Sequence, residues 1–190
     1  MTGLPPRERV RDAALMRALA HPLRAALLDY LGAVGPRTAS ECGEAVVSSA
    51  SNCSWHLRQL ASFGLVERVD AEDGRERPWR AKHVGLELED KLDPAALGMA
   101  AAMLGQDQEL TQRFLDTREQ LEPAWQAAAG FNFYALRVTP SELTELVEQI
   151  DKLLRPFVAP IRQNAPEDAR PVHVGLRAVP RVEADGKPSR

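Results

Sequence analysis

The chain has 190 residues, 27% of them charged, with 24 Lys+Arg against 27 Asp+Glu and only two cysteines. That length holds one domain of about 80 residues plus a second unit of similar size, and two cysteines cannot supply a disulfide framework. The longest uncharged apolar stretch, residues 94–105, is too short to span a bilayer, so no membrane partner and a reducing, cytoplasmic setting are expected.

The charge divides unevenly. Residues 1–83 carry 12 basic against 10 acidic side chains, and residues 84–190 carry 12 against 17. A mildly basic head on an acidic remainder suits a nucleic-acid reader with a different body.

Residues 1–6 read as a loose tail, and residues 7–20 as a first helix with Val10, Ala14 and Leu19 among its apolar positions. His21-Pro22 then places a proline at a helix's first turn, where its missing N–H costs nothing. Leu23, Leu27 and Leu31 mark one face of that helix, which should end near Gly32 and Gly35. Thr38 with Glu41 makes a capping box for a helix through Cys42, Ala45 and Val46.

A serine-rich turn leads into residues 49–62, which a 3.6-residue period sorts into two sides. Cys53, Leu57 and Leu60 form a stripe that packs. Ser51, Asn52, Ser54, Trp55, Arg58 and Gln59 gather on the other side, with Ser49 at its start, and no acid occurs between Ser48 and Val66. Hydroxyls, amides, a guanidinium and an indole are the groups that read bases and grip phosphate. A merely solvated face usually carries Glu and Lys instead. Leu65-Val66-Glu67-Arg68-Val69 alternates as a strand, residues 70–74 turn, and residues 75–82 return with Arg75, Arg77, Arg80 and Lys82. Glu72, Asp73 and Glu76 dilute those cations, yet the hairpin suits a wing that tracks the phosphate backbone. Helix, turn, helix and hairpin in this order predict a winged helix-turn-helix over residues 7–84.

Beyond it, Asp93-Pro94 caps a long helix predicted over residues 93–128, which Pro123 must kink or break. Residues 133–138 and 172–177 alternate as strands around a helix that starts at the Thr139-Pro140-Ser141-Glu142 capping box. Residues 132–178 are thus predicted as a strand–helix–strand unit within a second region, 93–178. The unit must pack on the long helix or join strands from a second subunit, because two strands make no stable sheet alone. Residues 181–190 read as a flexible tail. The fold class is therefore mainly α with small β parts. Trp125, Phe131, Phe133 and Tyr134 either line a pocket for a small apolar effector or simply fill the junction between long helix and strands.

Leu19-Ala20-His21-Pro22-Leu23-Arg24 and Ser54-Trp55-His56-Leu57-Arg58-Gln59-Leu60, running on through Gly64-Leu65-Val66, resemble the ArsR/SmtB-type winged-helix repressors over roughly residues 8–84. The resemblance implies a homodimer on a pseudo-palindromic operator in double-stranded DNA, with the long helix at the dimer interface. It implies DNA-facing roles for Ser51, Asn52, Ser54, Trp55 and Arg58, and a place for His56 between core and DNA. The C-terminal unit resembles the extension of actinobacterial ArsR-like regulators. Metal-sensing members carry a thiolate pair where this chain has Thr38 and Ser40, and hydroxyls do not replace thiolates for soft metals. No metal and no cofactor are therefore expected, and Cys42 and Cys53 read as small buried hydrophobes. No Ser/His/Asp set or glycine-rich phosphate loop supports an enzyme. Two function classes stay open: a DNA-binding transcription regulator, and a winged-helix protein–protein module anchored on Trp55. The operator, the regulated genes, any inducer and the choice between repression and activation are not legible.

Overall fold

The computed structural model describes residues 7–70, 77–88, 93–162 and 164–189. The expected tail at 1–6 and the wing tip at 71–76, including Arg75, lie outside them. The fold is mainly α with small β parts: a winged helix-turn-helix followed by a long helix.

Its start departs from expectation. Residues 7–20 are not one helix: β1 (Glu8–Val10) comes first and α1 spans only Ala13–Leu19. The Asp12 carboxylate accepts the Ala14 N–H at 2.9 Å and so starts the helix there. Upstream, Val10 is fully buried, and its strand pairs in parallel with β4 (Leu86–Leu88) in the register Val10 to Leu88.

The next helices follow their local signals. α2 (Pro22–Val34) is capped by His21, whose Nδ1 accepts the Leu23 N–H at 3.2 Å. It buries Leu27 and Leu31 and ends at Gly35, where φ is +80°. α3 (Ala39–Ala45) starts at the predicted capping box: Thr38 Oγ1 accepts the Glu41 N–H, and the Glu41 carboxylate accepts the Thr38 N–H at 2.7 Å. α4 (Ala50–Ser62) is capped by Ser49 Oγ on the Asn52 N–H.

The turn between α3 and α4 is tight. Ser48 N–H donates to the Gly43 carbonyl at 2.8 Å, and Val47 holds the left-handed region at φ +52° with its side chain in solvent. A Cβ at Gly43 would meet the Ser48 carbonyl at 2.7 Å and the Ala50 nitrogen at 3.2 Å, both of them backbone. Gly43→Ala is therefore expected to cost about 1–3 kcal/mol, read as a lowered melting temperature. Gly32→Ala has nothing within 4 Å and serves as the control that loses no stability.

β2 (Val66–Arg68) and β3 (Trp79–Ala81) pair antiparallel, with Val66 opposite Ala81. One core joins Leu27, Leu31, Leu57, Leu60, Leu65 and Trp79. It extends through Met16 and Leu19 of α1 to Ala96 and Met99 near the start of α5 (Pro94–Thr117).

The predicted helix over 93–128 breaks as its proline requires. A 3-10 turn, Arg118–Gln120, ends α5, and α6 (Pro123–Ala128) starts afresh with Pro123 at its first position. α7 (Pro140–Leu154) carries the predicted Thr139–Glu142 capping box. The flanking strands are not there. Residues 133–138 and 172–177 take no part in any ladder among the described residues, because neither run meets a backbone edge. At the C-terminus, a bridge between Val182 and Pro188 closes a small turn within the stretch expected to be a flexible tail.

Candidate nucleic-acid interface

α4 presents two chemically distinct sides. Cys53, Leu57 and Leu60 are fully buried, as their spacing requires, and His56 joins them at 5% exposure. On the opposite side Ser49, Ser51, Asn52, Trp55 and Arg58 are exposed, with Ser54 and Gln59 half-buried. Short hydrogen bonds along the helix organise this face. Ser49 and Ser51 hydroxyls meet at 3.1 Å, Asn52 Nδ2 donates to Ser48 Oγ at 3.0 Å, and Arg58 Nη2 donates to Ser54 Oγ at 3.0 Å. The guanidinium is thus laid along the helix, with no carboxylate paired to it among the described residues.

His56 sits deeper than the border position expected of it. Its ring lies 4.5 Å from that of His21 and 4.7 Å edge-on from Trp55, so Trp55 is only 49% exposed. His56 Nδ1 is buried and has no hydrogen-bond partner among the described residues. Burial, then the neighbouring His21 and Arg24, hold the His56 pKa below its ordinary value. Burial and then Arg24 do the same to His21.

In the wing, Arg77 and Arg80 are exposed, but Arg80 is already engaged: Nη2 donates to Glu67 Oε1 at 2.5 Å. That bond, with the charges of Arg80 and Lys82, holds the Glu67 carboxyl low. Arg68 stacks over the buried Trp79 ring at 4.1 Å and donates to the Arg77 carbonyl, tying the two strands together. Sequence reading missed Arg68 in this role, although Arg and Trp on facing strands were visible as a candidate pair.

The aromatic cluster does not assemble. Phe133 and Tyr134 are 88% and 80% exposed, Phe131 leans on Phe114 at 6.1 Å, and Trp125 lies under Arg170 at 5.6 Å. The four do not gather because the run 131–138 is exposed throughout, its ring contact with the rest being that of Phe131 with Phe114. A cavity of about 390 Å³ lies elsewhere, between α2, α5 and residues 171–173, with Leu23, Asp29, Tyr30, Leu110 and His173 in its wall. Cys42 and Cys53 are buried free thiols, and burial raises the Cys42 pKa to about 11. Among the described residues no group of three His, Cys, Asp or Glu is placed to hold a metal ion, and no helix is long and apolar enough to cross a membrane.

A family profile described as a helix-turn-helix domain matches residues 19–69. No curated protein is significantly similar to the chain in sequence. Among solved structures, the chain is similar to a MarR family transcriptional regulator from Silicibacter pomeroyi at 21% identity, covering 76% of this chain and 79% of that one, with a TM-score of 0.32. It is similar to Lactococcus lactis ZitR, as the C30AH42A mutant in apo form, at 14% identity over 76% and 87%, TM-score 0.32. A structure described as a "probable transcriptional regulator from Pseudomonas aeruginosa" gives 15% over 74% and 90%, TM-score 0.34.

The ArsR/SmtB-type resemblance does not stand. The profile that matches residues 19–69 is a general helix-turn-helix and carries no ArsR/SmtB designation. The residues that suggested ArsR/SmtB serve packing: a buried stripe, a histidine beside it and a Gly-Leu-Val exit into the wing. Such features seat a recognition helix in any winged fold and do not distinguish families. The chain carries a helix-turn-helix of the kind found in DNA-binding transcription regulators.

Proposed function

We propose that the protein is a sequence-specific transcription regulator, a repressor that binds a pseudo-palindromic operator as a homodimer. The observation that carries this reading is the side of α4 bearing Ser49, Ser51, Asn52, Trp55 and Arg58: exposed, internally organised and free of acid, on a helix whose other side is locked in the core. Residues 7–84 act as the reading head, and residues 93–178 join the subunits. Two heads set about 34 Å apart place both copies of α4 in successive major grooves. Arg58 and Gln59 reach base edges or phosphates, Ser54 and Asn52 fix the register, and Arg75, Arg77 and Arg80 add salt-dependent affinity.

The deciding experiment is selection of bound sequences from a random DNA library by the purified protein. A two-fold symmetric site whose affinity falls steeply with salt supports the reading, and recovery of no preferred sequence overturns it. Arg58→Ala is expected to weaken operator binding by about 1–3 kcal/mol, measured by titration at fixed salt; an unchanged affinity removes Arg58 from the mechanism. A second reading, a protein–protein module, rests on the half-exposed indole of Trp55. Partner binding lost in Trp55→Ala, with no DNA footprint, would favour it.

A further inference from the structure

A compact single chain of 20.9 kDa exposes about 9,000 Å². This one exposes 13,831 Å², an excess of roughly 4,900 Å². The C-terminal part is loosely covered: no described residue after Asp107 is buried. α7 is strongly amphipathic, yet Leu146, Val147 and Ile150 are only half-buried and Leu153 is 71% exposed.

The run 172–177 is turned inside out. His173 Nε2 lies 2.7 Å from Asp107 Oδ1 on α5, and Arg177 donates to the other oxygen of the same carboxylate. Between them Gly175 passes so close that a Cβ there would clash with Asp107. With the period of two in an extended chain, these three residues share one face. The other face, Val172, Val174 and Leu176, points outward at 64%, 60% and 48% exposure. The polar face is held on the protein's own helix while the apolar face meets water. Neither residues 171–180 nor residues 130–138 make a backbone–backbone hydrogen bond among the described residues, so both runs offer free edges.

We propose that residues 131–179 are an arm that docks on a second copy of this chain, with the runs 133–138 and 172–177 pairing as strands across the two copies and α7 covering the shared sheet. The excess surface is several times the roughly 800 Å² per partner of an ordinary interface, ample for an obligate, intertwined one. A cover of that size must be present as the chain folds, and another copy is the partner supplied in equal amount at the same place. A strand with free edges also pairs readily with its own copy across a two-fold axis. Leu97, Met103 and Leu104, exposed on the helix that leads into the arm, extend the same apolar character. The Asp107 anchor sets which face of the arm is offered. This inference shares the second copy with the operator reading but requires no DNA.

The test uses the full chain, with sedimentation equilibrium and amide hydrogen exchange followed through a dilution series. The expected result is a dimer in which amides of 133–138 and 172–177 are protected and lose protection in step with dissociation. Val174→Asp should raise the dimer dissociation constant about 100-fold or more, since it buries an unpaired charge, and deprotect both runs while α2 and α4 amides stay protected. Three results would overturn the proposal: a monomer with both runs protected, a dimer in which they exchange freely, or wild-type dimerisation by a folded Val174→Asp chain. Should that variant lose α2 and α4 protection as well, the wild-type dilution series decides alone. A protected arm with no DNA selected would sink the operator reading and leave the arm standing.

Discussion

Replacing Ser51 by glutamate should cut DNA affinity a hundredfold or more while leaving the head at least as stable. Ser51 is exposed at the second position of α4, and among the described residues its hydroxyl meets only Ser49 Oγ. The cap survives, because Ser49 still accepts the Asn52 N–H. A carboxylate in the first turn faces the positive end of the helix dipole, a gain of about 0.3–1 kcal/mol. Against phosphate the same charge meets like charge, which costs several kcal/mol. Stability and affinity therefore move in opposite directions, a pattern that general damage to the fold cannot imitate. A thermal melt and a titration at one salt concentration suffice, and Ser51→Ala separates the lost hydroxyl from the added charge. Wild-type affinity in Ser51→Glu would show that this side of α4 does not lie against DNA.

Acidification below about pH 6.5 should destabilise the head well before its carboxylates titrate. His56 is buried beside His21 and near Arg24, and its folded pKa lies below the value it takes when unfolded. Between those two values the unfolded chain binds a proton that the folded chain refuses. Stability from this residue is thus complete above the unfolded pKa and declines as pH falls toward the folded one, with a slope of at most about 1.4 kcal/mol per pH unit. His21 acts in the same direction. Its Nδ1 accepts the Leu23 N–H that starts α2, and a protonated ring has no lone pair left for that cap. Glu41 and Asp107, both held below the ordinary carboxylate range, lose their contributions only at lower pH. Urea midpoints between pH 8 and pH 5 measure the effect, and His56→Leu should flatten most of it. A midpoint that does not move over that range would sink the argument.

Elements with a local cause were legible in the sequence. Two capping boxes, two prolines at helix starts and a four-then-three apolar spacing each act within one or two turns. α2, α3, α4 and α7 accordingly lie where those residues place them. What escaped reading depends on partners distant in sequence. β1 has three residues and pairs with β4 across more than 70 positions, so its local pattern passed for the start of a helix. The Asp107–His173–Arg177 contact is likewise long-range, spanning 66 and 70 positions, and left no local trace. Alternation over 133–138 and 172–177 records which side chains share a face, but a strand also needs a neighbouring backbone, and neither run has one among the described residues. The exposed set on α4 was readable because burial of Cys53, Leu57 and Leu60 fixes where every other side chain must point. The wing cations were less readable, since the bond from Arg80 to Glu67 is a tertiary matter.

The two native thiols are shut away in the core, and burial lifts both above the range in which a thiolate forms readily in neutral solution. A cysteine placed on the surface, at Gln59 or along the arm, would then react with a maleimide dye ahead of either of them. Spectroscopic reporters can be attached to the intact chain without first removing its own sulfurs, and the core that holds α3 against α4 stays as it is.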